Sequence, residues 1–299
     1  MAASDAAAGD AADAGTPPVL RLQPGDAEGV WPLSVEAGWN QIGSDWRLMI
    51  SAGSAFGIQD AAGRWIASAL ALPLGPHVSW ISMVLVTQPA RRQGHGTRLL
   101  RQCIAAVEAT GRAMGLDATE LGRPVYLPLG FRDLYAISRW SVPHAAGMPI
   151  DVPEGIAIRS ARPQDLERLA DCDRRCSGLE RRAILANLLA RAPHLALVAD
   201  RGDGSLAGYS LGRDGHRATH VGPVMAEEQA VGLALVSRAL AGARGPAILD
   251  VPDRHGHIRE WLQSQGASVP RSFMRMLRGF APAVEDGSRI MAIAGPELA

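Results

Sequence analysis

Apolar positions along this chain alternate between short strand-like runs and longer helix-like patches. Val19–Leu22 reads as a strand, and Asp26 stands where an N-cap would open a helix through Trp31, Leu33 and Val35. Ser51–Gln59 and Arg64–Leu72 read as paired strands joined by the turn Asp60–Gly63, and Val78–Thr87 is a strongly apolar strand. After a glycine-containing loop, Leu99, Leu100, Cys103, Ile104, Val107 and Met114 recur near 3.6-residue spacing, which predicts a helix from about Gly96 to Met114. Leu116–Thr119 and Phe131–Trp140 return as strands.

The same order then recurs. Ile156–Arg159 followed by Pro163-Gln164-Asp165 echoes Leu20–Leu22 followed by Pro24-Gly25-Asp26. Leu195–Ala199 and Leu206–Leu211 echo the paired strands, and Thr219–Met225 with a helix to about Ala243 echoes the apolar strand and helix. Ile248-Leu249-Asp250 matches Gly115-Leu116-Asp117, Leu262 to Gly266 matches Tyr126 to Gly130, and Phe273–Met276 matches the returning strand. A period of about 130–140 residues is too long for a solenoid. It describes two diverged copies of one α/β unit. The expected division is a disordered Ala/Asp/Gly tail (1–17), a first unit (18–143), a linker rich in Pro and Gly (144–153), a second unit (154–281) and a C-terminal tail (282–299). In that last tail the apolar run Ile290 to Ile293 either docks as a strand or frays.

Composition narrows the classes. The 299 residues are 47% hydrophobic and 20% charged, enough for a core in each half. Thirty basic and thirty acidic residues balance to +0, which argues against a general nucleic-acid partner. All the basic residues counted are arginine, as expected of a GC-rich genome. No apolar run has the roughly 20 residues a bilayer span needs, and the first residues lack the basic and apolar regions of a secretory signal. Cys103, Cys172 and Cys176 form no metal-ligand pattern and read as thiols in a reducing cytoplasm. Arg254-His255-Gly256-His257 has no third ligand nearby in sequence and reads as a loop or helix start, so no metal is expected. There is no G-x-S-x-G elbow, and Cys103 is expected on the buried face of its helix.

The stretch Arg91-Arg92-Gln93-Gly94-His95-Gly96-Thr97 carries the chemistry. It joins an apolar strand to an amphipathic helix in the pattern R-x-x-G-x-G. A helix's first turn leaves backbone N–H groups unpaired at the positive end of its dipole. Glycines there let phosphates approach the backbone, and arginines add charge-assisted bonds. No Walker Gly-Lys-Ser/Thr follows, and Leu99 stands where a dinucleotide loop needs its third glycine.

These residues, with Tyr126-Leu127-Pro128-Leu129-Gly130-Phe131 downstream, resemble the acyl-CoA loop and the Tyr-x-x-x-Gly-Phe motif of the GNAT superfamily of N-acetyltransferases. The resemblance covers roughly Val19–Trp140. The second copy resembles the same fold with its chemistry erased: Glu227 and Glu228 stand where phosphate would bind, and Leu262 stands for Tyr126. The whole resembles bacterial tandem GNAT proteins with a degenerate C-terminal domain. The implied fold is two α/β units, each a mixed, mostly antiparallel sheet flanked by helices.

The implied activity is acetyl transfer from acetyl-CoA to a small-molecule amine by direct attack in a ternary complex. A non-catalytic acyl-CoA sensor or scaffold, another acyl-CoA donor, or a hydroxyl acceptor are the alternatives. The resemblance gives diphosphate binding to Arg91, Arg92, Gln93, Gly94, His95, Gly96 and Thr97, pantetheine alignment to Val84, Leu85 and Val86, and protonation of the leaving thiolate to Tyr126. His95 is expected to face solvent. For the base, Glu36 leads a set that includes Asp45, Asp117, Glu120, His220, Asp250 and a water chain. Trp39 and Trp46 are candidates to line the acceptor pocket. Partners are limited to the small acceptor, with a homodimer left open and neither nucleic acid nor membrane expected.

Overall fold

A computed structural model describes residues 17–143 and 150–299. The expected N-terminal tail lies outside the described residues except for Pro17, as does 144–149 of the expected linker. The first half runs β1 (Leu20–Arg21), α1 (Ala27–Glu36), α2 (Gly43–Ala52), β2 (Ser54–Gln59), β3 (Trp65–Pro73), β4 (Val78–Val86), α3 (His95–Glu108), β5 (Ala113–Thr119), α4 (Arg123–Tyr126) and β6 (Arg132–Val142). The second runs β7 (Ile156–Ser160), α5 (Leu166–Ser177), α6 (Arg182–Arg191), β8 (Leu197–Arg201), β9 (Leu206–Arg213), β10 (Thr219–Ala226), α7 (Gln229–Gly242), β11 (Ala247–Pro252), α8 (Gly256–Ser264) and β12 (Ser268–Arg278), then α9 (Pro282–Glu285) and β13 (Ile290–Ala292). Among the described residues no helix is long and apolar enough to cross a bilayer.

The expected helix to Met114 is corrected: α3 ends at Glu108, and Met114 is a buried residue of β5. Gly111 takes φ +71° between them, which breaks the helix while the apolar spacing continues by coincidence. Leu99, Leu100, Cys103, Ile104 and Val107 form the buried stripe of α3, lying on β2 to β4. A separate core joins α1 and α2 to α5 and α6 through Trp46, Met49, Leu169, Leu185 and Leu188. Beneath α7, Val231, Leu235 and Leu240 pack in a third.

The strands form one mixed, mostly antiparallel sheet in the order β1-β2-β3-β4-β5-β12-β6-β11-β10-β9-β8-β7, with β13 added on β10. The parallel neighbours are β4–β5 and β10–β11. The closing strands are exchanged. β12 of the second half lies against β5 of the first, and β6 of the first lies against β11 of the second.

Two buried ion pairs mark this exchange, and they are reciprocal. Asp117 on β5 stands directly opposite Arg275 on β12, with bonds of 2.8 and 2.9 Å. Asp250 on β11 stands directly opposite Arg139 on β6, with two bonds of 2.7 Å. Each half thus supplies an aspartate to the other half's arginine. Burial works against the charge on Asp250, yet Arg139 and His220 hold its carboxyl well below the usual range. Arg275 also donates to the Tyr135 hydroxyl at 3.1 Å and lies 4.6 Å from the Trp80 ring centre.

The segment read from sequence as a C-terminal tail is built into the molecule. β13 pairs antiparallel with β10, and Ile290, Met291, Ala292 and Ile293 are all buried. Beyond it Arg213 donates to the Ala294 carbonyl at 2.6 Å, Trp80 to the Pro296 carbonyl at 2.9 Å and Arg181 to the Leu298 carbonyl at 2.9 Å. Buried donors from both halves therefore satisfy a backbone whose apolar side chains are already in the core.

Candidate active site

The site begins where β4 and β5 part. They pair in register only from Val78↔Ala113 to Trp80↔Gly115. There the Trp80 ring lies so close over Gly115 that a Cβ on that residue would overlap it. Further along, the register of β4 against β3 shifts, so that Ser68 faces Leu85 while Leu70 faces Ser82. Met83 takes φ +53° in this bulge, and its carbonyl accepts from the Ser68 hydroxyl at 2.8 Å. The side of β4 turned away from β3 is thereby freed from β5 and faces a cleft.

The cleft has two parts. An open groove of about 740 Å³ follows Val84, Leu85 and Val86 to Arg91. A narrower cavity of about 140 Å³ adjoins it, bordered by Tyr126, Ser82, Gln41 and Asp117. Trp39, Val84, Thr119 and Arg271 line both, so the two are continuous.

At the groove's outer end the loop enters α3. Arg92 takes φ +62°, a conformation that costs a non-glycine residue about 1–2 kcal/mol. Gly94 takes φ +80°, with nothing within 4 Å of where a Cβ would stand. The Arg98 N–H closes the first turn on the Gly94 carbonyl at 3.0 Å. The amides of His95, Gly96 and Thr97 precede that bond and form the open, positive mouth of the helix. Arg91 is exposed and folds its Nε onto the Val86 carbonyl at 3.2 Å, while Gln93 donates to the Pro89 carbonyl at 3.1 Å. This mouth is positively polarised, and its loop meets the groove at Arg91, which suits a phosphorylated thioester such as acetyl-CoA. His95 corrects the expectation of a solvent-facing ring: it is buried, because the left-handed turn at Gly94 makes it the first helical residue and swings it inward.

Tyr126 lines the cavity from the end of α4, edge-on to Phe131 at 5.9 Å. Burial pushes its hydroxyl up to about 12. The proton is therefore retained, and the stability tied to the neutral ring is present below the ordinary tyrosine range and lost as pH rises towards 12. The tyrosinate absorbance of the wild-type chain minus that of Tyr126→Phe should appear only above pH 11. A difference already complete at pH 10 would contradict this environment.

The other candidates are divided between the cleft and the rest of the molecule. The Glu36 carboxylate accepts the Gln88 N–H at 2.5 Å and lines neither part of the cleft; it ties α1 to the exit of β4. Trp46 is wholly buried with its Nε1 on the Ser34 hydroxyl at 2.9 Å, so the pocket tryptophan is Trp39 alone. Asp45 is buried against Arg191 and Arg213. His220 lies 3.3 Å from Asp250, and burial pushes its imidazole down. Glu120 borders the groove and Asp117 the cavity. Cys103 is buried as expected, its thiol pushed up to about 12. His255 stands at the N-cap position of α8 without a side-chain cap bond, and among the described residues no cluster completes a metal site around it.

Sequence reasoning missed Gln41, Ser82, Arg139, Arg271 and Glu297 as cavity residues. The last two come from the second half, on β12 and in the turn after β13. The strand exchange brings Arg271 here and the docking of β13 on β10 brings Glu297, and no local pattern announces either.

At the corresponding place in the second half, Glu228 stands at the N-cap of α7, and Glu227 pairs with Arg201 at 2.8 Å and Arg175 at 3.3 Å. Two glutamates thus precede α7 where arginines and a glycine precede α3, although neither carboxylate bonds the amides of its first turn. Leu262 is wholly buried in the core.

Two family models match the chain: one for the acetyltransferase (GNAT) family over residues 27–131 and one for an acetyltransferase (GNAT) domain over residues 169–292. An uncharacterized N-acetyltransferase of Bacillus subtilis (strain 168), YitH, is 28% identical over 249 residues, covering 83% of this chain and 86% of that protein. Among solved structures, a Pyrococcus horikoshii protein assigned as an acetyltransferase aligns with a TM-score of 0.73 at 17% identity, covering 94% of this chain and 95% of that one. A tandem GNAT protein from the clavulanic acid biosynthesis pathway aligns with a TM-score of 0.59 at 14% identity, covering 88% of this chain and 99% of its own. These two likenesses are ones of fold.

Proposed function

The chain belongs to the GNAT superfamily as a tandem of two such domains, and from that premise we propose that its first half alone transfers an acetyl group from acetyl-CoA to the amine of a small molecule, by direct attack with both substrates bound. The observation that carries this reading is the positive mouth of α3, whose loop meets at Arg91 a cleft that leads to Tyr126, set against the two glutamates that precede α7.

Acetyl-CoA, when bound, supplies an activated acyl thioester. The amides of Arg92 to Thr97, with Arg91, hold its diphosphate. Backbone groups of Val84, Leu85 and Val86, released from β5, align its pantetheine arm. Tyr126 holds the proton that the departing sulfur needs. Glu297 faces the cavity from the second half and takes the proton that the amine must lose. Glu36 acts as a positioning residue at the loop.

The test is thiol release from acetyl-CoA in the presence of small primary amines, with Tyr126→Phe as the variant. Turnover should fall by about 100-fold or more while acetyl-CoA affinity stays within about twofold. Undiminished turnover in that variant would contradict the role given to the hydroxyl.

A further inference from the structure

Four charged side chains border the narrower cavity: Asp117, Arg139, Arg271 and Glu297. Three are matched inside the protein, Asp117 by Arg275, Arg139 by Asp250 and Glu297 by Arg213. Arg271 is half-buried, and among the described residues it has neither an ion pair nor a hydrogen-bond partner. The cavity therefore carries one uncompensated positive charge. A charge removed from water without a partner is costly, and an anionic group on the bound molecule is its natural complement.

Two further groups lack partners in the same place. Gln41 is 5% exposed and Ser82 is 8% exposed, and both line the cavity. Among the described residues neither Gln41 Oε1 nor Ser82 Oγ has a hydrogen-bond partner. Buried polar atoms are normally paired, so these two are waiting for a donor and for a group that accepts or donates. A primary amine supplies the donor that a carbonyl oxygen needs. The cavity, about 140 Å³, has room for a molecule the size of an amino acid.

Building on the acetyltransferase reading above, we infer that the acceptor is a small amino acid or a close analogue, an amine that also carries a carboxylate, with Arg271 binding the carboxylate and Gln41 Oε1 accepting from the amine. In the reaction an N–C bond forms as the C–S bond breaks. The ammonium loses two protons, one passing to solvent by way of Glu297 and the other balanced by the proton that the sulfur gains from Tyr126, and the carboxylate stays on Arg271 throughout. Burial and the nearby Arg139 both weaken the hold of Arg271 on its own proton, and a bound carboxylate relieves that tension. Arg271 is thus assigned to specificity, contributed by the degenerate half to the site of the active one.

The experiment compares thiol release from acetyl-CoA with free amino acids, their carboxamides and their decarboxylated amines, alongside the small-molecule fraction of a bacterial lysate. The best amino acid should exceed its amide and its decarboxylated amine by at least about 30-fold in kcat/KM. Arg271→Gln should bring that ratio below about threefold, mainly through KM, with acetyl-CoA affinity by calorimetry unchanged, and Arg271→Lys should recover part of it. A preference for the neutral or cationic amine, or a ratio that survives Arg271→Gln, would overturn the inference. So would a loss of acetyl-CoA affinity in Arg271→Gln with acceptor preference intact, which would place the guanidinium on the coenzyme. Release with the lysate fraction but with no amino acid overturns the inference and leaves the transferase standing. Release with neither overturns both.

Discussion

Replacing Gly96 by valine should lower acetyl-CoA affinity by roughly 1,000-fold, read by titration calorimetry, while the fold is retained. A Cβ at this position would stand 3.3 Å from Val86 Cγ2. The branched side chain must therefore push against the end of β4 or project across the amides at the mouth of α3. Hydrogen bonds to a charged group contribute about 1.5–3 kcal/mol each, so losing two removes roughly three decades of affinity. Far-ultraviolet circular dichroism and the melting temperature should stay near wild type, because Gly96 lies outside the buried apolar stripe of α3. Wild-type affinity in Gly96→Val would mean the coenzyme is held elsewhere.

Arg275→Met should destabilise the chain by about 3–5 kcal/mol at neutral pH, the usual cost of removing one partner from a buried ion pair. Asp117 would remain buried between the halves with no counter-charge. Burial already pushes its carboxyl up, against the pull of Arg275. In the variant the neutral acid is the tolerated form. The deficit should therefore be smallest below the ordinary carboxylate range near pH 4 and should grow as pH rises through the raised value. Urea unfolding at pH 4 and pH 7 measures both the size and the sign. The double variant Asp117→Leu with Arg275→Met should recover most of the loss. A single variant as stable as wild type at pH 7 would show that the exchanged strands do not depend on this pair.

What could be read from the chain beforehand, and what could not, follows from the range of the interactions. The stripe of α3, the apolar β4 and the recurrence of Leu116-Asp117 as Leu249-Asp250 are local patterns, and they located the loop and the two-unit organisation. The end of α3 was misjudged because Met114 falls on the helical period although it belongs to β5. The helix α2 is hard to read from the sequence because its buried face includes Gly43 and Asp45 beside Trp46, Met49 and Ile50. Trp39 and Trp46 look alike in sequence, but the Ser34 hydroxyl holds the Trp46 indole in the core while Trp39 lines the cleft. Arg271 and Glu297 were invisible as site residues, since their arrival depends on β12 crossing to β5 and on β13 docking against β10. Pairings of that kind are set by burial across the whole sheet. Glu36 was chosen for its region of the chain, but its carboxylate had a nearer donor in Gln88.

The most direct test is a crystal structure of the chain with acetyl-CoA diffused in. The account predicts one coenzyme per chain, its diphosphate on the amides of His95, Gly96 and Thr97 and its thioester at the junction beside Tyr126. Diphosphate seated at the mouth of α7, or a coenzyme bound away from β4, would contradict it.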